Sequence, residues 1–314
     1  MELSLLILGL AGLWLGTEAT IRGAVAVAER LHVSEFIIGV VVLSVGSDLP
    51  ELAIAIDAAI KILNSSDASD VVIGSSLGSA LGQIGFVMGV AGLMGTLTLP
   101  RRIVYGHGGM LLGSLVLLGL FGLDGQVTRT EGLSLVIVYA IYVFLLLADA
   151  FDGEDKETSG DEAPLSVSFV YLAVGLILVI VCAELTVSSA TALAVALNVE
   201  QSVIAIVIIG LGSSLPELSI SVAAIMKGRN SLSVGNLIGS NVFDTLVPVG
   251  VAAAIAKLQF NPEMLHRELP FLVLLTAVVL ILFHRKRGIQ RGEAAVILGL
   301  YLGYVVLLLV GAQQ

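Results

Sequence analysis

The sequence predicts an all-α integral membrane protein of ten transmembrane helices in two inverted five-helix repeats, with helices 2, 3, 7 and 8 broken around an ion site at the midplane. Three observations predict it. Of 314 residues, 57% are hydrophobic and 13% charged, with a mean hydropathy of +1.04, far too apolar for a soluble domain. Apolar runs long enough to cross a bilayer recur along the whole chain. One hexapeptide also occurs twice, as Gly46-Ser47-Asp48-Leu49-Pro50-Glu51 and Gly212-Ser213-Ser214-Leu215-Pro216-Glu217, near the middle of two such runs.

The first run, 3–28, has no basic leader and resembles the internal sixth run, so it is expected to stay as a span. The second, 35–60, carries the first hexapeptide; Asp57 is expected toward its end or in a vestibule. A polar turn around Asn64-Ser65-Ser66-Asp67 leads to the third, 71–95, where Asp70 reads as an N-cap. The fourth and fifth runs are 103–121 and 132–148. Residues 149–162 then hold seven acids against Lys156 alone, the pattern of a solvated linker. The second half follows with runs at 167–195, 202–226, 232–256, 268–284 and 293–311. The expected organisation is thus a first repeat over 1–148, an acidic linker over 149–166 and a second repeat over 167–314.

The two halves superpose beyond the hexapeptide. At an offset of 166, Glu18 meets Glu184, Glu51 meets Glu217 and Lys61 meets Lys227; at 161, Gly74 meets Gly235 and Gly78-Ser79 meets Gly239-Ser240. Five spans is an odd number, so the second half enters the membrane from the opposite side. Loops after odd-numbered spans hold ten Lys or Arg against four after even-numbered ones. This imbalance places both termini outside and the acidic linker in the cytoplasm, in the cell membrane.

A carboxylate at the depth of Glu51 or Glu217 is expensive and is expected to have a function. Pro50 and Pro216 each remove a backbone donor, freeing the carbonyls of Gly46 and Gly212. Ser47 lies one turn from Glu51, as Ser213 does from Glu217, Ser79 from Gln83 and Ser240 from Asp244, so each pair shares a helical face. Carbonyl, hydroxyl and carboxylate at one depth are hard ligands of the kind that hold Na⁺ or Ca²⁺. Glu51, Glu217, Asp244 and Asp48 sum to −4 when ionised, and the −2 that one Ca²⁺ leaves calls for a second cation or for a protonated member. Plainer roles compete: a membrane Ser often bonds a carbonyl in its own helix, and Gln83 could join helices. Glu18 and Glu184 read as structural.

Other classes fit poorly. An enzyme is not expected: His32, His107, His266 and His284 all sit at span ends, and the chain has no Walker-type loop. Cys182 is the only cysteine, so no intramolecular disulfide can form.

The doubled G-S-x-L-P-E element, the Gly-Ser pair that follows it and the ten spans in opposed halves resemble the cation/Ca²⁺ exchanger superfamily, closest to prokaryotic Na⁺/Ca²⁺ exchangers. The likeness covers essentially the whole chain. It implies a secondary antiporter that exchanges Ca²⁺ against Na⁺ by alternating access, with no cofactor beyond the transported ions. It also implies a monomer able to function alone in the bilayer, with no nucleic-acid partner. The ligands it implies are Ser47, Glu51, Ser79 and Gln83 in the first half and Ser213, Ser214, Glu217, Ser240 and Asp244 in the second, with carbonyls around Ser44 and Gly210. Asp48 stands where the second copy has Ser214, Ser75 where the second has Asn236, and Gln83 where Asn or Asp is commoner. These departures bear on ion selectivity. They make Ca²⁺/H⁺ or K⁺-linked exchange the main alternative, and a cation channel the alternative from another class.

Overall fold

The computed structural model describes residues 2–64, 68–98, 100–151, 164–197, 212–286 and 288–311. Among them, eight helices are long and apolar enough to cross a membrane, and a bent pair makes a ninth. The first half contains α1 (Glu2–Arg30), the bent pair α2 (Glu35–Ser47) and α3 (Leu49–Leu63), then α4 (Ser69–Met94), α5 (Arg101–Phe121) and α6 (Arg129–Phe151). The second contains α7 (Leu165–Ala196), α8 (Leu215–Met226), α9 (Asn230–Ile255), α10 (Leu269–Lys286) and α11 (Arg291–Gly311). The expected seventh span, 202–226, lies partly outside the described residues; α8 is its described end.

Apolar side chains cover the outside as well as the core. Ile7, Trp14, Phe144, Ile177 and Leu307 are all exposed, the surface that lipid rather than water accommodates. The inside is organised around α9, which is buried along most of its length and packs against α2, α3, α4, α5, α6 and α8. Small residues permit these close crossings. A side chain at Gly235 would strike the Phe36 carbonyl, and one at Gly239 would strike the Val40 backbone, so α9 crosses α2 almost backbone to backbone.

The two copies of the hexapeptide fold alike. Asp48 has φ −93° and ψ 6°, and Ser214 has φ −92° and ψ 10°, so the third residue of each copy adopts the same bridge conformation before its Pro. At the first copy this bends the α2–α3 pair by 46°. Breaks were also expected in the third and eighth spans, and the structure corrects both. α4 runs through a π-helical turn at Gly82–Val87 without breaking, and α9 is one continuous helix despite Pro248. Neither has a Pro beside its Gly-Ser pair to force a break. Pro248 cannot donate to the Asp244 carbonyl one turn back, and Ser76 of α4 donates to that oxygen instead, at 2.5 Å. Asp70 is not an N-cap, because Ala68 occupies that position; its carboxylate accepts from Asn261 at 3.3 Å.

α1 and α7 make the most extensive helix pair. Gly9 faces Thr186, Gly16 faces Val179 and Gly175, and Gly23 faces Leu172, so these repeat-related helices run antiparallel in close contact. Two short ladders join the halves. β1 (Leu97–Thr98) pairs with β4 (Gly288–Ile289), and β2 (Gln126–Val127) pairs with β3 (Leu258–Gln259). The ladders lie at opposite ends of α5, whose 21 residues span roughly 30 Å. At the end of α8, Gly228 takes φ 73°, and the Arg229 amide reaches back to the Ala224 carbonyl at 2.8 Å. That turn fixes Lys227 beside Glu18 of α1, nitrogen to oxygen at 2.7 Å.

Candidate ion-binding site

The bend at Asp48, the matching turn at Ser214 and the π-turn bring most of the expected polar groups into one buried cluster. Asp48, Glu51, Glu217 and Asp244 all lie within electrostatic reach of one another. Asp48, Glu217 and Asp244 are buried to 1% exposure or less. Asp48 comes from the bend between α2 and α3, Glu51 and Glu217 from the first turns of α3 and α8, and Asp244 from the middle of α9.

The neutral groups interleave with them. Ser47 donates toward Asp48 Oδ1 at 3.1 Å, and Glu217 faces both Asp48 and Ser47. Gln83, carried at the start of the π-turn, donates to Asp244 Oδ2 at 3.0 Å and toward Ser79 Oγ at 3.1 Å. Ser214 is buried with its hydroxyl against Gly82, and Ser240 is buried one turn before Asp244. Ser44 spends its own hydroxyl on Val40, but its carbonyl accepts the Asp48 amide at 3.0 Å and lies 3.2 Å from the Ser47 hydroxyl. Ser213 is exposed and lines a cavity rather than the buried cluster. Gly210 lies outside the described residues.

The chemical character of the cluster is set by its unpaired oxygens. Oδ2 of Asp48, Oε2 of Glu51, Oε1 of Gln83, Oγ of Ser214 and Ser240, both carboxylate oxygens of Glu217 and Oδ1 of Asp244 are buried without a hydrogen-bond partner. Burying an ion without compensation costs several kcal/mol, so a site with this many free acceptors matches a cation as its occupant. No group of three or more His, Cys, Asp or Glu among the described residues forms a ready-made metal cluster. Any cation held here would therefore draw on hydroxyl, amide and carbonyl oxygens besides carboxylates, the mixed hard set that suits Ca²⁺ and Na⁺.

One face of the cluster is reachable. A cavity of about 820 Å³ between α3, α7 and α8 is lined by Ser47, Glu51, Glu184, Thr191 and Ser213, among others. On the other side, a groove of about 680 Å³ beside Glu18 and Lys227 touches none of the four clustered carboxylates.

Two contributors are absent from the sequence-based set. Tyr139 of α6 packs edge-on against Phe243 with centroids 5.5 Å apart, and its buried hydroxyl lies within electrostatic reach of Asp48 and Asp244. Its trace in the sequence is Tyr139 and Tyr142 recurring as Tyr301 and Tyr304 at an offset of 162. Ser76 has no such trace, because its role depends on Pro248 in the other half.

Fold and site together define a multi-pass α-helical membrane transport protein with a buried acidic centre. The profile described as sodium/calcium exchanger protein matches residues 1–148 and 167–310, and the chain belongs to that family. It is similar to the sodium/calcium exchanger MaX1 of Methanosarcina acetivorans, 26% identical over 97% of each chain. It is also similar to the inner membrane protein YrbG of Escherichia coli, 26% identical over 97% of this chain and 96% of that one. Among solved structures, the sodium-calcium exchanger NCX_Mj soaked with zero Na⁺ and Ca²⁺ superposes with a TM-score of 0.84 over 98% of both chains at 27% identity.

Proposed function

We propose that the protein is a secondary antiporter exchanging Ca²⁺ against Na⁺ by alternating access. The observation that carries this reading is the convergence of four carboxylates from both halves, with unpartnered buried oxygens on Asp48, Glu51, Glu217 and Asp244. Ca²⁺ sits between Glu51 and Glu217, Ser47, Ser79, Gln83, Ser214, Ser240 and the carbonyls at Ser44 and Gly210 complete the shells, and Ser213 meets the ion from the cavity side as it enters. Na⁺ ions occupy overlapping positions on the same carboxylates, so neither cation species binds fully while the other is present. That competition makes the process exchange rather than leak.

The inverted ten-span plan is part of the proposal. Its supports are the antiparallel α1–α7 pair, the matched bridge residues Asp48 and Ser214, and the ladders. The ladders join the loop after the third span to that after the ninth, and the loop after the fourth to that after the eighth. Loops share a side only if an even number of crossings separates them. That parity holds when α8 belongs to a full crossing. With the basic loops cytoplasmic, the termini are outside the cell membrane, residues 149–166 are inside, and the cavity at Glu51 faces outward.

Asp48 favours a second reading, Ca²⁺/H⁺ or K⁺-linked exchange, because it adds a carboxylate that the second copy lacks. Radiolabelled Ca²⁺ uptake into proteoliposomes, driven in turn by Na⁺, H⁺ and K⁺ gradients, tests both. A Na⁺ gradient alone is expected to drive uptake. Uptake that ignores Na⁺ and follows H⁺ or K⁺ overturns the first reading in favour of the second, and uptake under none of them overturns both.

A further inference from the structure

Two pairs of charges that the halves share at an offset of 166 have no place in the ion site: Glu18 with Glu184, and Lys61 with Lys227. Across the halves they are treated differently. Glu18 of α1 binds Lys227 at the end of α8 at 2.7 Å and is also held by Arg22. The repeat-equivalent contact, Glu184 of α7 with Lys61 of α3, is not made. Glu184 has no ion-pair partner among the described residues and lines the open cavity, while Lys61 binds Asp57 in its own helix at 2.6 Å. Gly12 meets Cys182 and Gly16 meets Val179 where α1 crosses α7. Glu18 lies to one side of that crossing and Glu184 to the other, roughly 12 Å apart along the pair.

We propose that Glu18–Lys227 and Glu184–Lys61 are alternating latches. In the conformer described here the first is closed and the side bearing Lys61 is open. When α1 and α7 shift against the remaining helices, Glu18 leaves Lys227 and Glu184 takes Lys61, closing the cavity at Glu51. The latches are unequal by sequence. Released Lys61 has Asp57 to pair with, whereas the position equivalent to Asp57 is Ala223, so released Lys227 has no matching acid on its own helix. This asymmetry biases the resting protein toward the conformer with the Glu51 cavity open. The inference rests on alternating access but not on which ions are exchanged.

The test is maleimide labelling of Thr191→Cys, a cavity-lining position, in a Cys182→Ser background reconstituted in lipid vesicles without Ca²⁺. Lys227→Gln and, separately, Asp57→Asn are expected to slow labelling about two- to fivefold, the range open to a partly exposed ion pair. Lys227→Arg is expected to keep the original rate, and Glu184→Gln to raise it or leave it unchanged. Labelling indifferent to both Lys227→Gln and Asp57→Asn overturns the latches. Ca²⁺ uptake is followed in the same vesicles. Shifted labelling without Na⁺-driven uptake defeats the exchange reading and leaves the latches standing; unshifted labelling with normal uptake does the reverse.

Discussion

Gln83 of the first half donates its amide to Asp244 of the second, Nε2 to Oδ2 at 3.0 Å. The bond holds Asp244 in place without adding charge and leaves Oδ1 free for a cation. Gln83→Glu places a fifth carboxylate against the other four. Initial-rate Ca²⁺ uptake at neutral pH is expected to fall about tenfold, the size of a like-charge penalty of roughly 1.4 kcal/mol, and to recover partly as the pH is lowered.

Glu51→Gln and Glu217→Gln each remove a charge that both proposed cations share. Exchange is expected to drop to the level of empty vesicles while expression and monodispersity stay normal, because a neutral amide is cheaper to bury than an unpaired carboxylate. Flux assays beside size-exclusion profiles check both halves of the expectation.

Asp48 has Ser214 as its counterpart, so Asp48→Ser makes the two hexapeptides identical in that position. Cations bind only deprotonated carboxylates, so protons compete with them. Wild-type uptake is expected to fall as pH drops from about 8.5 to about 5.5, and Asp48→Ser to flatten that profile. A wild-type profile already flat over this range contradicts the role given to Asp48.

Ser76 and Pro248 form a compensating pair around the Asp244 carbonyl. Ser76→Ala leaves that buried oxygen without a donor and is expected to cost about 1–3 kcal/mol. Pro248→Ala restores the helical amide, so the double variant is expected to be more stable than Ser76→Ala alone. Thermal unfolding in detergent gives the cycle, and simple additivity of the two changes refutes the compensation.

Gly235 and Gly239 admit the α2 backbone, whereas Gly78 has open space where a side chain would begin. Gly235→Val is expected to destabilise by at least about 1–3 kcal/mol through overpacking, and Gly78→Ala to be nearly neutral. The same thermal assay separates them.

Much of this was legible in the chain. Apolar length gave the spans because lipid demands about twenty residues per crossing, and the observed helices follow those runs wherever the residues are described. Glu51, Glu217 and Asp244 stood out because acids are rare at that depth, and the structure brings them together with Asp48 and Gln83. What could not be read was tertiary. The π-turn that carries Gln83 has no sequence marker comparable to Pro50. The continuity of α9 depends on a hydroxyl supplied by Ser76 from 168 residues away. Tyr139 belongs to a repeated tyrosine pair, but that spacing does not name its packing partner Phe243.

The two ladders have a mechanical consequence. Leu97 with Ile289 and Val127 with Leu258 fasten one half to the other at both rims of the bundle. The peptide connection through 149–166 is then redundant as a tether: a protease nick there would yield two fragments that still travel as a single particle.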